Sequence, residues 1–541
     1  MLHRMGYTKS LKARVIFFWF FLLNAAPLFA SPIQFAIGPD CNQSLLLNTL
    51  SAAEQSLLIN IYQLDHPTIV QAILEKLTSG VQVRLILEGH PVGGITQAGK
   101  QAIDQIRDSM IRLNLGRNLE SQNRFYLMTP QRGQPRRYRF NHAKYVIADE
   151  KKVLISSENF TPTGHSSPGQ KGNRGWDITL EDPRLIEQLK TIFQIDSENP
   201  NDIQELTQST EPLSLEIQPQ TPLSSSGETS SPAAGQIQIG RATAQSIALI
   251  TSPHSLEEIT TLIQSAQTSI EVQEMSLPLN WTAEKTSPRQ LNPLVKSLIE
   301  AAERGVQVRI LLNDETVFAK PQKAGTHPET PALKATRNEE TCMLIRWLAD
   351  CKHLPISAEI LDNKKAQISY IHNKGFIIDG SKVLVSSING TRNSLFFNRE
   401  VAVLVESPEA ASYFQQIFLS DWQMPLAPRI EPPKLDCSEI DTLDLTQFPF
   451  TKPPLPLNAE KKRKRDLHVL PTLAPPETAV SDPLVPQKRM STPPAPFSFF
   501  LPTHESKEDD AVQKLPRRRS PAPSPHSKSL PDPLKTDTQK P

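Results

Sequence analysis

The sequence predicts an α/β protein built from two homologous halves, and three observations support this prediction. A polar motif occurs twice with identical internal spacing. A helix end, a glycine and an apolar strand also occur twice, upstream of that motif. Near residue 429 the composition changes, and proline-rich sequence replaces the periodic apolar runs. The first two features indicate duplicated α/β lobes, and the third indicates a tail without a packed core.

The duplicated motif contains histidine, lysine, aspartate, serine and asparagine. Its copies are His142, Lys144, Asp149, Ser156 and Asn159 and, 230 positions later, His372, Lys374, Asp379, Ser386 and Asn389. Two unrelated surface segments do not reproduce such spacing by chance. The repeat therefore indicates one active site assembled from two halves.

Each copy of the motif is predicted to form a β-hairpin, because apolar runs flank a polar turn. Side chains alternate along a strand, so His142 and Lys144 project to the same side, as do the second histidine and lysine. Folding each hairpin about its turn is expected to bring Asn159 beside His142 and Asn389 beside His372.

The hairpin turns are predicted to centre on residues 150–151 and 380–381. Asp149 and Asp379 lie at the mouths of these turns, where a carboxylate accepts hydrogen bonds from backbone N–H groups. We therefore expect both aspartates to be structural. The second turn has the Asp-Gly sequence of a tight hairpin, whereas the first lacks glycine and is expected to be looser.

The residue types of the motif suit phosphodiester chemistry. Lysine ammonium and asparagine amide groups donate to phosphate oxygens, and imidazole serves as nucleophile, acid or base. One histidine bonded to phosphorus and a second protonating the departing alcohol divide the cleavage into two easier steps. This chemistry requires neither a metal nor a cofactor. A single His-x-Lys pair is usually only a polar surface, but two copies in register favour a catalytic site.

The pattern His-x-Lys, four residues, Asp, six residues, Gly or Ser, two residues, Asn resembles the duplicated signature of the phospholipase D superfamily. The resemblance covers residues 35 to 425. It implies two α/β/α sandwich lobes related by pseudo-two-fold symmetry, with the two hairpins meeting at the lobe interface. It also implies a phosphohistidine intermediate.

The resemblance assigns roles by position. His142 is the expected nucleophile and His372 the acid that later activates water, with the reverse assignment left open. The other implied ligands of the phosphoryl oxygens are Lys144, Lys374, Asn159 and Asn389, with Ser157 and Ser387 as weaker candidates for substrate binding.

Members of the superfamily usually carry a downstream acidic residue that orients each histidine. In the second half this residue is Glu400, whereas the aligned position in the first half is Gly175. Asp177 lies two residues further along and shares the strand face of Gly175, so it is the expected substitute. If Asp177 does not serve, the two histidines are inequivalent.

The duplication continues upstream, where residues 75–87 and 299–312 each read as a helix end, a glycine cap and a buried strand. Strands alternating with helices predict a largely parallel or mixed sheet covered on both faces. The predicted organisation is a signal peptide (1–30), a first lobe (33–197), a Ser- and Pro-rich linker or loop (198–240), a second lobe (241–428) and a disordered, basic, Pro-rich tail (429–541).

The basic N-terminus and the short apolar stretch that ends at Ala30 predict a secretory signal cleaved near that residue. We therefore expect export to the periplasm, the cell surface or the medium, with an uncleaved membrane anchor as the alternative. The cysteines show no metal-ligand spacing. Pairing of Cys342 with Cys351 stays open, but no disulfide framework is expected.

The formal net charge of +1 provides no strong overall field for a polyanion. Local charge differs, because Arg132, Arg136, Arg137 and Arg139 precede His142. Arg136 is expected near the entrance of the site, where it could bind a lipid headgroup or a nucleic-acid phosphate.

The preferred function is therefore hydrolysis of a phospholipid headgroup to give phosphatidic acid, at a membrane surface. We expect a monomer whose two lobes form one intramolecular site. Three alternatives stay open: an exported nuclease with the same two-histidine chemistry, a phosphatidyltransferase of the cardiolipin synthase kind, and a non-enzymatic scaffold whose tail binds partners.

Overall fold

The fold is known from a computed structural model that describes residues 30–130, 134–208, 237–281, 289–318, 335–429, 437–438 and 444–448. All of these residues belong to one structural unit. The predicted signal peptide, apart from Ala30, lies outside the described residues, as do most of the predicted linker and tail. Within the described segments, no helix is both long enough and apolar enough to cross a membrane.

A nine-stranded mixed sheet forms the first lobe. Its strands are β1 (Ser31–Ile37), β2 (Ser56–Ile61), β3 (Gln82–Glu88), β4 (Arg124–Met128), β5 (Tyr145–Ala148), β6 (Lys152–Ser156), β7 (Trp176–Leu180), β8 (Ile203–Glu205) and β9 (Gly240–Ala244). Their order is β8-β4-β3-β2-β5-β6-β7-β1-β9. Strands β2, β3 and β4 are mutually parallel, and every other pairing is antiparallel.

A seven-stranded mixed sheet forms the second lobe, and the same part of the chain contains a separate two-stranded sheet. The strands are β10 (Ser246–Ser252), β11 (Ser269–Glu274), β12 (Asn280–Trp281), β13 (Gln290–Leu291), β14 (Gln307–Leu312), β15 (Ile356–Ile360), β16 (Lys374–Ile378), β17 (Lys382–Ser386) and β18 (Glu400–Glu406). The larger sheet has the order β10-β18-β17-β16-β11-β14-β15. Apart from β8 and β9, each strand of the first sheet has a counterpart here in the same order. The predicted pair of duplicated α/β lobes is therefore confirmed.

The helices begin and end at residues that the sequence makes recognisable. They are α1 (Asn42–Ser51), α2 (Pro67–Thr78), α3 (Gln97–Asn114), α4 (Pro183–Glu198), α5 (Leu256–Ser265), α6 (Pro293–Glu303), α7 (Arg337–Lys352), α8 (Arg392–Phe396) and α9 (Pro408–Trp422). Proline occupies the first turn of α2, α4, α6 and α9, after a capping side chain that accepts a backbone N–H. Gly80 and Gly305 follow α2 and α6 with φ of 93° and 92°, as the predicted glycine caps require.

The structure has three large apolar cores, and one of them joins the two lobes. One core packs α1, α2 and α3 on the first sheet, and another packs α5, α6 and α7 on the second. The third contains residues of both lobes, including Trp176 and Ile178 from β7, Val401 from β18 and Phe414 from α9. Because this core is shared, apolar burial fixes one lobe against the other.

The boundary between the lobes differs from the sequence-based one. Strand β9, close to the predicted start of the second lobe, pairs with β1 in the first sheet, and β10 pairs with β18 in the second. Strand β8, which falls within the predicted linker, extends the first sheet beside β4. Both strands cover backbone groups that an open sheet edge would leave unpaired.

The second lobe also extends beyond residue 428, where the sequence predicted disorder. Cys437 forms a disulfide with Cys351, so the alternative pairing of Cys351 with Cys342 is not adopted. Phe448 is completely buried and stacks on Trp347 with ring centroids 6.5 Å apart. The part of the chain after residue 448 lies outside the described residues.

Candidate active site

The two motif histidines stand at the lobe interface, each shortly before a strand of its own hairpin. The backbone N–H of His142 donates to the carbonyl of Arg399 at 2.8 Å, and that of His372 donates to the carbonyl of Arg174 at 2.9 Å. Each histidine is therefore anchored on the opposite lobe.

Each imidazole also meets a carboxylate from the opposite lobe. His142 Nδ1 lies 2.7 Å from Glu400 Oε2, and His372 Nδ1 lies 3.0 Å from Glu158 Oε2. The second contact is close but lies off the direction of a ring N–H hydrogen bond. Because both Nδ1 atoms face carboxylates, Nε2 is the nitrogen that each ring presents for chemistry.

Two fully buried lysines complete the centre of the site. Lys144 Nζ donates to the carbonyl of His142 at 2.7 Å, and Lys374 Nζ donates to the carbonyl of His372. Burial lowers the pKa of Lys144 to about 7, against the opposing effect of Glu400. It lowers the pKa of Lys374 to about 8, opposed first by Glu158. A bound anion would favour the protonated form of both lysines.

The histidines and carboxylates of the site shift one another's ionisation. Burial lowers the pKa of both histidines, to about 4 for His372, and the lysine of the opposite lobe contributes to each shift. Burial alone would raise the pKa of Glu158 and Glu400, but the facing histidine, the site lysines and hydrogen bonds together outweigh it, and both pKa values are lowered. The site therefore holds two ionised carboxylates against the Nδ1 atoms. These mutual effects place both histidines and both lysines in one cluster.

The sequence profile of the family described as "Cardiolipin synthase, PLD-like domain" matches residues 46–196 and 259–422. These segments make up more than half of the 541 residues, and each contains one copy of the motif. The chain belongs to the phospholipase D superfamily.

Several known proteins resemble this chain. The mitochondrial cardiolipin hydrolase of Danio rerio is 30% identical over 91 residues, which are 15% of this chain and 40% of that protein. Phosphatidylserine synthase of Haemophilus influenzae Rd KW20 has 13% identity and a TM-score of 0.48, covering 72% of this chain and 88% of its own. The phospholipase D family member Nuc of Salmonella typhimurium has 21% identity and a TM-score of 0.24, covering 34% and 99%.

The orienting acids expected from the phospholipase D signature differ from those in the structure. Asp177 does not contact His142; its Oδ2 lies 2.9 Å from His165 Nε2, and it accepts a hydrogen bond from Ser156 Oγ at 2.6 Å. Glu400 orients His142 of the other lobe and not His372. The expectation that each acid orients the histidine of its own lobe was wrong, because the backbone hydrogen bonds of both histidines go to the opposite lobe.

Two carboxylates of this site were not identified from the sequence. Glu158 faces His372. The one sequence feature that could have indicated this role is that Glu158 is charged, whereas the equivalent residue of the second motif copy is Ile388. Glu274 is fully buried, accepts the N–H of Gly390 at 2.8 Å, and has its pKa raised well above the ordinary value by burial. Glu274 also acts electrostatically on Lys374. No local sequence pattern distinguished it from other strand residues.

The two motif asparagines stand one residue away from the predicted strand register. Tyr145 pairs with Ile155 and Phe376 with Leu384, so position 158, and not 159, lies opposite His142 when the first register is extended. Asn159 Nδ2 donates to Gln63 Oε1 at 2.9 Å. The side-chain oxygens of Asn159 and Asn389 are buried and have no hydrogen-bond partner in the described part of the chain. Phosphoryl binding by these amides stays a prediction.

The two serine candidates support the site from behind. Ser157 Oγ accepts the backbone N–H of Trp176 at 2.8 Å. Ser387 Oγ donates to Glu400 Oε2 at 2.6 Å and thereby helps to hold the carboxylate against His142. Both serines are completely buried, so these contacts, and not substrate binding, are the roles that the geometry gives them.

The motif aspartates hold the start of the neighbouring strand, in agreement with the structural role expected for them. Asp149 accepts the backbone N–H groups of Glu54, Gln55 and Ser56, and Asp379 accepts those of Gln267, Thr268 and Ser269. Burial opposes ionisation of both carboxyls, but the hydrogen bonds outweigh it and lower the pKa of each.

The first hairpin turn is as tight as the second, although the sequence predicted a looser loop. Asp149 and Glu150 have φ of 52° and 55°, and the equivalent Asp379 and Gly380 have 51° and 59°. The hydrogen bonds to Asp149 help to hold this conformation, and Lys190 Nζ pairs with Glu150 at 2.7 Å. These contacts compensate for the missing glycine.

Arg136 has a partner within the protein. Its guanidinium donates to buried Glu88 at 2.8 Å, and Glu88 accepts the N–H of Asn141 at 2.7 Å. Arg136 thus supports the residue before His142, and its contact with substrate stays a prediction. Arg137 pairs with Asp202 at 2.8 Å. Arg132 lies outside the described residues.

In the part of the chain that the structure describes, no group of three or more His, Cys, Asp or Glu side chains is arranged to hold a metal ion.

Proposed function

We propose that this chain is a phosphodiesterase of the phospholipase D type, which hydrolyses a phospholipid headgroup through a phosphohistidine intermediate and releases phosphatidic acid. The observation that carries this proposal is the pair of carboxylate-held histidines from opposite lobes, clustered with two buried lysines.

The first step forms a phosphorus–nitrogen bond. Neutral His142 attacks phosphorus through Nε2, and the bond from phosphorus to the headgroup oxygen breaks. His372 transfers its Nε2 proton to the departing alcohol. Because an anionic phosphodiester favours the protonated imidazole, we expect His372 to take up this proton when substrate binds.

The second step removes the phosphoryl group from His142. His372, now neutral, takes a proton from water, and the oxygen of that water attacks phosphorus. The phosphorus–nitrogen bond breaks, phosphatidic acid leaves, and both histidines return to their starting forms. Lys144 and Lys374 hold the non-bridging oxygens, and removal of one such donor costs about 3 kcal/mol of transition-state stabilisation in comparable sites.

Exposed apolar side chains beside the site support a lipid substrate. Val92 and Phe318 follow the equivalent strands β3 and β14 and are 68% and 50% exposed. The N–H of Val92 donates to Tyr62, whose ring centroid lies 4.8 Å from that of His142. Phe318 reaches the other histidine through one intervening aromatic ring. Exposed apolar groups on both sides of a phosphate site favour a substrate with acyl chains over a nucleic acid.

The relatives support the same substrate class and provide the second candidate function. The name of the Danio rerio relative refers to cardiolipin hydrolysis, and the matching family description refers to cardiolipin synthase. A phosphatidyltransferase would use the same first step and replace water with an alcohol in the second. Support for the nuclease is weaker, because Arg136 and Arg137 are paired with Glu88 and Asp202.

The decisive experiment offers the full chain vesicles of phosphatidylglycerol or cardiolipin, with chelator, with and without added radiolabelled glycerol, which makes transfer visible as labelled phosphatidylglycerol. We expect phosphatidic acid and free headgroup in both conditions. Transfer of the phosphatidyl group to glycerol, without phosphatidic acid, would instead establish the transferase. Cleavage of single-stranded oligonucleotides with intact lipids would overturn the lipid assignment.

We also propose that the protein is exported, with a mature chain that begins near Ser31. The disulfide between Cys351 and Cys437 supports this, because such bonds persist in oxidising compartments. N-terminal sequencing of the protein recovered from a secreting host is expected to start near Ser31. An N-terminus at Met1 would contradict cleavage and favour the anchored form.

A further inference from the structure

We infer that Glu158 is the positioning residue of His372 and that it supplies, from a different strand end, the carboxylate that pseudo-symmetry assigns to position 175. The inference rests on the proposed two-histidine chemistry and adds to it a residue that the duplicated signature does not contain.

The backbone anchors define where the carboxylate of each histidine should originate. His142 is bonded to the carbonyl of Arg399, and the next residue is Glu400, whose side chain holds the His142 ring. His372 is bonded in the same way to the carbonyl of Arg174. The next residue there is Gly175, which has no side chain to offer.

The side chain of Glu158 occupies the space that a residue at 175 would need. A Cβ added to Gly175 would lie 2.2 Å from Glu158 Oε1 and 2.4 Å from its Cγ. In the second lobe the position equivalent to Glu158 is Ile388, a buried core residue, and the carboxylate comes from Glu400. The halves thus use reciprocal pairs, Glu and Gly in the first and Ile and Glu in the second.

Equivalent asparagines bind the two carboxylates, although the carboxylates originate from different strands. Asn173 Nδ2 donates to Glu158 Oε2 at 3.0 Å, and Asn398 Nδ2 donates to Glu400 Oε1 at 2.9 Å. The serines match in one contact, because Ser157 accepts the N–H of Trp176 and Ser387 accepts that of Val401; only Ser387 also donates to its carboxylate, Glu400. The shared asparagine contact indicates that Glu158 fills the same functional position as Glu400.

A buried network fixes the backbone that carries Glu158. Its N–H donates to Ser156 Oγ at 2.8 Å, and this hydroxyl donates to Asp177. Asp177 pairs with His165, whose Nδ1 lies 3.0 Å from the carbonyl of Asn159. The acid that the sequence assigned to His142 therefore supports the segment that positions the other histidine.

The test moves the carboxylate between the two strand ends. The variants are Glu158→Gln, Glu158→Ile, Gly175→Glu and the double variant Glu158→Ile/Gly175→Glu, with exposed Glu54→Gln as the matched control. We expect Glu158→Ile to lower kcat on phospholipid by about 10²- to 10⁴-fold with little change in KM, as loss of an acid–base partner does. The double variant should recover at least tenfold, because its carboxylate starts from the strand end that Glu400 uses.

Gly175→Glu alone should be impaired, because two carboxylates compete for one space. Glu158→Gln preserves shape and removes charge, so the decline of kcat at high pH should move to lower pH as His372 loses a group that raises its pKa. Wild-type kcat and pH profile in Glu158→Gln would overturn the inference. A folded double variant no more active than Glu158→Ile would also overturn it.

A measurement without substrate separates this inference from the proposed function. In ¹⁵N-histidine-labelled full-length protein, Glu158→Gln should shift the ring titration of His372 and leave that of His142 near its original pH. Inactive wild-type protein with this selective shift would refute the phospholipase assignment and retain the positioning role. Equal shifts of both histidines, or none, would refute the positioning role.

Discussion

The two lobes have the same sheet order, the same motif and the same backbone anchors, yet they furnish their carboxylates differently. The first lobe sends Glu158 to His372 from the end of β6, and the second sends Glu400 to His142 from the start of β18. A carboxylate facing Nδ1 is the physical requirement, and the strand that delivers it has changed. Symmetry of the site is therefore preserved in space more faithfully than in the sequence.

The lysine environments of the two lobes also differ. Lys144 Nζ lies 5.4 Å from the ring centre of Tyr62, whereas Lys374 Nζ lies 3.7 Å from Met275 Sδ. Strand β11 ends at Glu274, and the matching strand β2 ends at apolar Ile61. The extra carboxylate raises the pKa of Lys374 relative to that of Lys144. The two equivalent lysines of the duplicated motifs thus have different pKa values.

The largest expected effect comes from removing either histidine. His142→Ala and His372→Ala should each lower kcat by about 10⁴-fold or more, because nucleophile and acid act as one unit. A substrate with a better leaving group separates the roles. It should restore partial activity to His372→Ala and none to His142→Ala, measured as leaving-group release; the opposite pattern would reverse the assignment.

The next effect concerns two ion pairs that connect the lobes. Arg174 binds Asp421 at 2.9 Å, and Arg399 lies 2.8 Å from Asp196. Arg174→Leu and Arg399→Leu should each lower the free energy of unfolding by about 3 to 5 kcal/mol, since each leaves a buried carboxylate unpaired. Urea unfolding measures this loss.

The control for these ion pairs is Lys190→Gln, which breaks a surface pair and should change stability by less than about 1 kcal/mol. Comparable losses of stability in the control and in the two arginine variants would contradict a stabilising role for the two ion pairs between the lobes.

The disulfide exists in only one lobe and should affect stability without affecting chemistry. Cys437→Ser should lower stability by about 2 to 4 kcal/mol, because the bond closes a long loop in the unfolded chain. The midpoint of thermal unfolding should fall while kcat at 25 °C stays unchanged. Reductant should lower the wild-type midpoint and leave that of the variant unaltered; a further fall in the variant would point to another cause.

The smallest effect is a pH dependence of anion binding. Lys144 and Lys374 have pKa values lowered to about 7 and about 8, so both are protonated below pH 6 and lose their charge as the pH rises. The dissociation constant of sulfate, whose own charge is constant, should rise about tenfold between pH 6 and 8 as one ammonium titrates. Isothermal titration calorimetry measures this change.

Lys144→Met isolates the lower of these two titrations. It should weaken sulfate binding at pH 6 and remove the step near pH 7, leaving only the one near pH 8. A sulfate affinity independent of pH in the wild type would contradict the low lysine pKa values.

Local pattern was sufficient for much of the fold. Apolar alternation located both hairpins, and proline and glycine marked the helix boundaries, including the helix Pro408–Trp422. The predicted roles of Asp149 and Asp379 also agreed with the structure, because the partners of each are the N–H groups at the start of an adjacent strand. These features depend on residues close in sequence or on a single strand pairing.

Contacts between segments that are distant in the sequence could not be predicted from local pattern. Arg136 meets Glu88 across 48 residues, and Cys351 meets Cys437 across 86. Glu158 and His372 are further apart and belong to different lobes, so a search within one motif copy could not connect them. The alignment of Gly175 with Glu400 revealed the missing carboxylate, and only the further difference between Glu158 and Ile388 marks where its replacement lies.

The crossed carboxylates make catalysis conditional on docking. Neither histidine keeps its acidic partner when the two sheets separate. A small opening of the shared core therefore abolishes both chemical steps at once, even if each lobe remains folded. Turnover thus requires the closed arrangement of the two lobes. Mild denaturant should extinguish it before circular dichroism registers any loss of helix or strand.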